Sequence, residues 1–285
     1  MMGWLTEPFA FGFMQRALVA SVIVGVVCAV IGCYIVLRSM AFLGDALAHA
    51  ILPGVAVAYL VGANLLAGAL AAGVIVAVGI SFVTKAGTIR EDTAIGIFFA
   101  AALALGVVLI STTGGYAVDL THVLFGNVLG VSGTDLWISG GLALVVLLAI
   151  VLLYRQLLVV SFDPVFGRTL GLRTHALRTG LFLMLAATIV VSLRTVGVAL
   201  VAAMLVTPPA AAYLLTRRLP AMMAVSALIG VVSAVGGLYL SYYLDVASGG
   251  AMVLVATAIF VLAFLFAPRK GVVWGVRRPR RVRPS

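Results

Sequence analysis

Asp45 and His49 stand four residues apart, and between Arg38 and Lys85 the chain has no other Asp, Glu, His, Lys or Arg. On a helix that spacing stacks the two side chains on one face. A carboxylate beside an imidazole is a ligand pair for a divalent transition metal: the acid supplies charge, and the borderline nitrogen disfavours Mg2+ and Ca2+. The setting is apolar, Leu43-Gly44-Asp45-Ala46-Leu47-Ala48-His49-Ala50-Ile51-Leu52-Pro53-Gly54. An acid at membrane depth costs at least ~2.5–3.5 kcal/mol on insertion scales, so such residues usually mark a pathway.

The elements that position this pair must be membrane helices. Hydrophobic residues make up 64% of the chain and charged residues 9%, against about 25% charged in an ordinary soluble domain. Charge-free apolar segments run over 17–37, 46–84, 93–118, 136–154, 179–193, 195–216, 219–244 and 246–268. The second is too long for one crossing, and Gly62-Ala63-Asn64 supplies a turn within it. The expected fold class is an all-α polytopic membrane protein of eight to nine transmembrane helices, the piece 179–193 being short for a crossing. Residues 1–16 form an outer or interfacial segment, 17–268 the transmembrane domain, and 269–285 a basic tail. The first apolar run spans in full without a basic region before it, so a cleaved leader is not expected. Cys28 and Cys33 lie inside that run and read as membrane-buried thiols.

Basic residues set the orientation. Arg38, Lys85 with Arg90, the group Arg155, Arg168, Arg173 and Arg178, then Arg217 with Arg218, and the tail fall on alternate loops. The opposite loops carry Asp119, Asp135 and Asp245, with Arg194 as an interfacial exception. The positive-inside rule then places the N-terminus outside and the C-terminus in the cytoplasm. Seven of the eighteen basic residues crowd the tail (Arg269, Lys270, Arg277, Arg278, Arg280, Arg281 and Arg283), which suits an anionic membrane face better than nucleic acid.

Counted from Arg38 at ~1.5 Å per residue, Asp45 lies ~10 Å deep and His49 ~17 Å deep, the latter near the middle of a ~30 Å core. Pro53 has no N–H, so the carbonyl of His49 is expected to lose its helical partner and face a hollow with the two side chains. Thr207-Pro208-Pro209 is expected to interrupt a second helix and free the carbonyls of Met204 and Leu205. Discontinuous helices at the midplane are a common device of transport sites. Asp119 and His122 read as an ordinary outer loop, and His175 as a surface residue among cytoplasmic arginines.

Two loops stand out. Outside, residues 112–135 include Leu124-Phe125-Gly126-Asn127-Val128-Leu129-Gly130, which suggests a short re-entrant or capping helix. Inside, within 155–178, Asp163 can cap a helix that begins at Pro164, carries Phe166 and ends at Gly171. A one-to-two-turn helix lying across the cytoplasmic face suits docking to a soluble partner.

The chain has no Gly-x4-Gly-Lys-[Ser/Thr] loop, no His-Glu-x2-His and no evident Ser-His-Asp set. Any ATP-driven work therefore belongs to another subunit, and an enzyme is the minor reading. A proton- or ion-coupled secondary carrier remains the alternative, with the same Asp and His acting as a relay.

Several stretches resemble the ABC-3 family, the membrane permeases of bacterial ABC importers for manganese, zinc and iron. They are Phe13 to Leu18, Gly32 to Arg38, Met40 to Gly54, Arg90-Glu91-Asp92-Thr93-Ala94-Ile95-Gly96-Ile97, Leu124 to Asn127, Phe162 to Gly171, and Thr195 through Ala212. The resemblance covers about residues 13–266. It implies a multi-pass protein of the bacterial cytoplasmic membrane that works with a cytosolic ABC ATPase, an extracytoplasmic metal-binding protein and a second permease copy. By that likeness Asp45 and His49 are transient ligands of transported Mn2+ or Zn2+, no cofactor is held permanently, and the loop Asp163–Gly171 is the coupling helix. Asp plus His accommodates manganese, zinc and iron alike.

Overall fold

The computed structural model describes residues 10–87, 89–111 and 130–267. The chain there is helical: α1 (Gly12–Leu37), α2 (Phe42–Ala50), α3 (Leu52–Leu60), α4 (Leu65–Val83), α5 (Glu91–Ser111), α6 (Gly133–Leu152), α7 (Tyr154–Phe162), α8 (Pro164–Thr169), α9 (Thr174–Val196), α10 (Val198–Leu215), α11 (Leu219–Leu244) and α12 (Ser248–Phe266). Among the described residues, eight helical segments are long and apolar enough to cross a membrane, with α2 and α3 counted together, and Leu200–Leu215 is a shorter ninth. The piece that read as short is a full crossing, because helix α9 starts at Thr174 and carries His175 and Arg178 within its first turns. The segments 112–129 and 268–285, with Asp119, His122 and the tail arginines, lie outside the described residues.

Small residues let the helices approach. In a membrane, where lipid is as apolar as leucine, close van der Waals packing does much of what water exclusion does elsewhere. Gly25 of α1 meets Gly230 of α11 backbone to backbone, so that a Cβ on Gly25 would lie 3.2 Å from the Gly230 carbonyl oxygen. One turn on, Ser226 donates to the buried Ala29 carbonyl at 3.0 Å. Gly54 and Gly68 join α3 to α4 in the same way. Cys28 and Cys33 are buried free thiols on α1.

Helix ends follow local chemistry. Ser132 and Asp135 form a reciprocal capping box at the start of α6. Asn64 accepts from Leu66 N–H at 2.9 Å and so starts α4. Glu91 and Asp92 occupy the first turn of α5, where the helix dipole favours them.

The proline expectation for α10 is corrected. The helix runs unbroken through Pro208 and Pro209, and the interruption falls at Gly197, whose φ of 85° and ψ of 162° are open essentially to glycine alone. Gly32 of α1 lies directly against the Leu205 carbonyl that Pro209 leaves without an N–H, so the two helices meet there with no side chain between them. A Cβ at residue 32 would stand 2.1 Å from that oxygen and 2.8 Å from Pro209 Cγ. Gly32→Ala is therefore expected to push α10 off α1 at a cost of about 1–3 kcal/mol. The check is thermal stability of the detergent-purified protein against Gly12→Ala, where no atom lies within 4 Å of the added methyl.

Candidate metal pathway on helix α2

The helix that carries the pair begins from a constrained turn. Ser39 holds a left-handed conformation (φ 58°). Its N–H donates to Val36 and that of Met40 to Ile35, which closes α1 with a Schellman motif on a residue other than glycine. Helix α2 then runs nine residues. Leu43, Gly44, Ala46, Leu47, Ala48 and Ala50 are buried, whereas Phe42, Asp45 and His49 are not. Those three stand at i, i+3 and i+7 and form the open stripe of the helix.

His49 Nε2 lies 3.6 Å from Asp45 Oδ1, with the side chains 26% and 42% exposed. That is beyond hydrogen-bond range, so the two groups are neighbours without consuming one another. A single ion with bonds of ~2.1 Å could reach both atoms. The spacing thus fits one ion held by both. Among the described residues no third His, Cys, Asp or Glu joins them. His49 Nδ1 is buried and lacks a hydrogen-bond partner among those residues.

Phe99 of α5 closes one side. Its ring meets His49 edge-on at 5.7 Å and Phe42 at 5.4 Å. Neither composition nor periodicity could find Phe99, because nothing in the sequence says which residue of α5 faces α2.

Pro53 opens α3 beneath the pair and is buried. The carbonyl of His49, expected to be free, accepts the N–H of Ile51, because the chain tightens where α2 gives way to α3. Gly106 of α5 lies against Leu52 and Pro53. Met204 and Pro208 are not brought to the open stripe. They belong to the helix behind it, where the Leu205 side chain would touch a Cβ on Gly44 at 3.0 Å. The proline segment of α10 therefore backs the site helix and does not line the pair.

A second constellation escaped sequence reasoning. Glu91, the first residue of α5, accepts from Arg38 at 3.1 and 3.2 Å and from Arg178 at 2.6 Å. Arg178 also donates to the Ser81 carbonyl at 3.3 Å. The arginines are 9% and 13% exposed. Burial pulls the Arg38 guanidinium below its ordinary pKa, and the nearby Glu91 charge opposes that shift. The block around Glu91 was visible as a motif, but its partners lie 53 and 87 residues away.

On the same basic end, Asp163 caps α8 by accepting from Val165 and Phe166 N–H, both at 2.9 Å. Gly171 (φ 75°) ends that element in a second Schellman turn, with Leu172 N–H on the Gly167 carbonyl and Gly171 N–H on that of Arg168. Val165, Phe166 and Leu170 project from it, each more than half exposed.

Known proteins resemble this chain along most of its length. The chain is 50% identical over 277 residues to the manganese transport system membrane protein MntC of Halalkalibacterium halodurans, covering 97% of this chain and 95% of that one. It is 41% identical to the chelated iron transport system membrane protein YfeD of Yersinia pestis, over 92% of this chain and 88% of that one. Among solved structures, PsaBC from Streptococcus pneumoniae in complex with Fab superposes with a TM-score of 0.83 at 37% identity, covering 95% of this chain and 98% of that one. The sequence matches the ABC 3 transport family over residues 10–267, and the chain is a multi-pass membrane protein belonging to that family.

Proposed function

We propose that this chain is the permease subunit of an ATP-driven importer of a divalent transition metal, Mn2+ first, with Asp45 and His49 as its transient ligands. The observation that carries the reading is the pair itself: two donors 3.6 Å apart on the open stripe of a membrane helix. A carboxylate 42% exposed at membrane depth faces water or protein, not hydrocarbon. A second copy of the chain meeting the stripe of α2 and the flank of α5 would supply that cover and bring two Asp–His pairs to one axis. Sparse ligation suits conduction, which needs release as much as binding. Relatives named for manganese and for iron support either ion as cargo, and the same donor set accepts Zn2+.

In this reading the basic end faces the cytoplasm, the N-terminus lies outside and the C-terminus inside. ATP hydrolysis takes place in a separate cytosolic subunit, and an extracytoplasmic protein delivers the metal. Helix α8 offers Val165, Phe166 and Leu170 as the apolar contact for the ATPase, since exposed apolar patches at a water-facing end mark partner sites. Asp163→Ala removes both cap bonds and is expected to cost about 1 kcal/mol locally. It should lower ATPase association in co-purification while leaving the abundance of the permease unchanged.

The experiment is uptake of radiolabelled Mn2+, Fe2+ and Zn2+ in cells expressing the chain with its ATPase and binding protein. ATP-dependent accumulation supports the importer and ranks the metals. Accumulation that persists with a hydrolysis-dead ATPase would replace this reading with a secondary carrier.

A further inference from the structure

The basic end holds a cavity of about 280 Å3 where α1, α7 and the α10–α11 junction meet. Its lower wall is apolar: Leu37, the last residue of α1, with Leu219 and Met222 from the first turn of α11, the latter two 7% and 3% exposed. Its rim carries Arg217 and Arg218. Both are exposed, and neither forms an ion pair with a described residue. The Thr216 hydroxyl donates to the Ala212 carbonyl at 2.7 Å, Tyr213 lines the same hollow, and the two guanidinium groups are its cationic donors. Snorkelling alone would account for arginines at this level, but not for a hollow with an apolar wall beneath them.

We propose that this cavity binds the headgroup of an anionic phospholipid, its phosphate on Arg217 and Arg218 and the start of its acyl chains against Leu37, Leu219 and Met222. The volume lies just below the ~300–1,000 Å3 usual for ligand sites, which fits a headgroup and not a whole lipid. The walls are the ends of membrane helices, the level at which headgroups lie, and basic pockets between such helices recognise anionic lipids. Phe162, on the cavity wall, is the residue immediately before the cap of α8, so the bound lipid would sit beside the element assigned to ATPase docking.

The test is native mass spectrometry of the full chain in detergent, titrated with phosphatidylglycerol or phosphatidylcholine. Wild type is expected to retain phosphatidylglycerol preferentially. The Arg217→Gln/Arg218→Gln variant should weaken that binding about 30-fold, about fivefold per arginine, and Arg173→Gln, an exposed arginine outside the cavity, should not. Met222→Trp fills the hollow with both charges kept and should also release the lipid; Met222→Phe serves if that variant does not fold. Equal binding of the two lipids, or binding that survives either the double variant or the filled cavity, overturns the proposal. Displacement of phosphatidylglycerol by inorganic phosphate at comparable concentration would reassign the site to free phosphate. Unchanged lipid binding with lost ATPase association in the double variant would reassign the arginines to a protein contact.

Discussion

Asp45→Asn is expected to reduce metal uptake by about 100-fold while the protein accumulates in the membrane at wild-type level. The substitution keeps the shape of the side chain and removes the charge that holds a dication, and loss even of a group that only orients a metal ligand commonly costs 10–100-fold. Because Asp45 is 42% exposed and makes no hydrogen bond to His49 at 3.6 Å, its neutralisation leaves no buried partner stranded. His49→Ala should also abolish uptake. It additionally removes the ring that Phe99 meets edge-on, so some loss of stability is expected there and not in Asp45→Asn. Uptake by Asp45→Asn within a few-fold of wild type would remove the pair from the pathway. Loss of the protein itself, or of its ATPase association, would make Asp45 a packing residue.

Much of this arrangement was legible in the sequence because it rests on local chemistry. Asp163-Pro164 and Gly171 announce a capped, terminated turn of helix within a single stretch, and the Asp–His spacing needs only the helical period to place both groups on one face. Hydropathy found the crossings but misjudged α9, since a helix does not end where arginine begins: Arg178 is a good helix former inside α9, and its side chain donates to Glu91. The error at Pro208-Pro209 has a related cause. A missing N–H removes one helical bond per proline without obliging the helix to end, and the bare backbone of Gly32 leaves room for the freed Leu205 carbonyl. Gly197 looked ordinary, because a glycine's dihedral angles cannot be read from its letter. Phe99 and Glu91 were hidden for the same reason: their partners are chosen by how helices pack, which no period along one segment encodes.

Glu91→Gln is expected to destabilise the folded protein by about 3 kcal/mol, the lower end of the range for breaking a buried ion pair, because the carboxylate keeps 26% exposure. At roughly 2–4 °C per kcal/mol the melting temperature in detergent should fall by about 6–12 °C. Two terms combine. The charge-assisted bonds to Arg38 and Arg178 are lost, and two guanidinium groups 9% and 13% exposed are left facing each other with no anion between them. The second term dominates, so removing one cation should restore part of the loss. Glu91→Gln/Arg178→Gln is expected to be more stable than the sum of its single variants by about 1–3 kcal/mol, as for residues within one network. Strict additivity would mean that the three groups stand side by side without coupling. Arg38 precedes the turn at Ser39 that launches the site helix, and Arg178 lies one turn into α9, the helix that follows α8. A single carboxylate therefore fixes the approach to Asp45 and His49 relative to the segment carrying the capped α8 turn, and the coupling energy in the double variant measures how tightly.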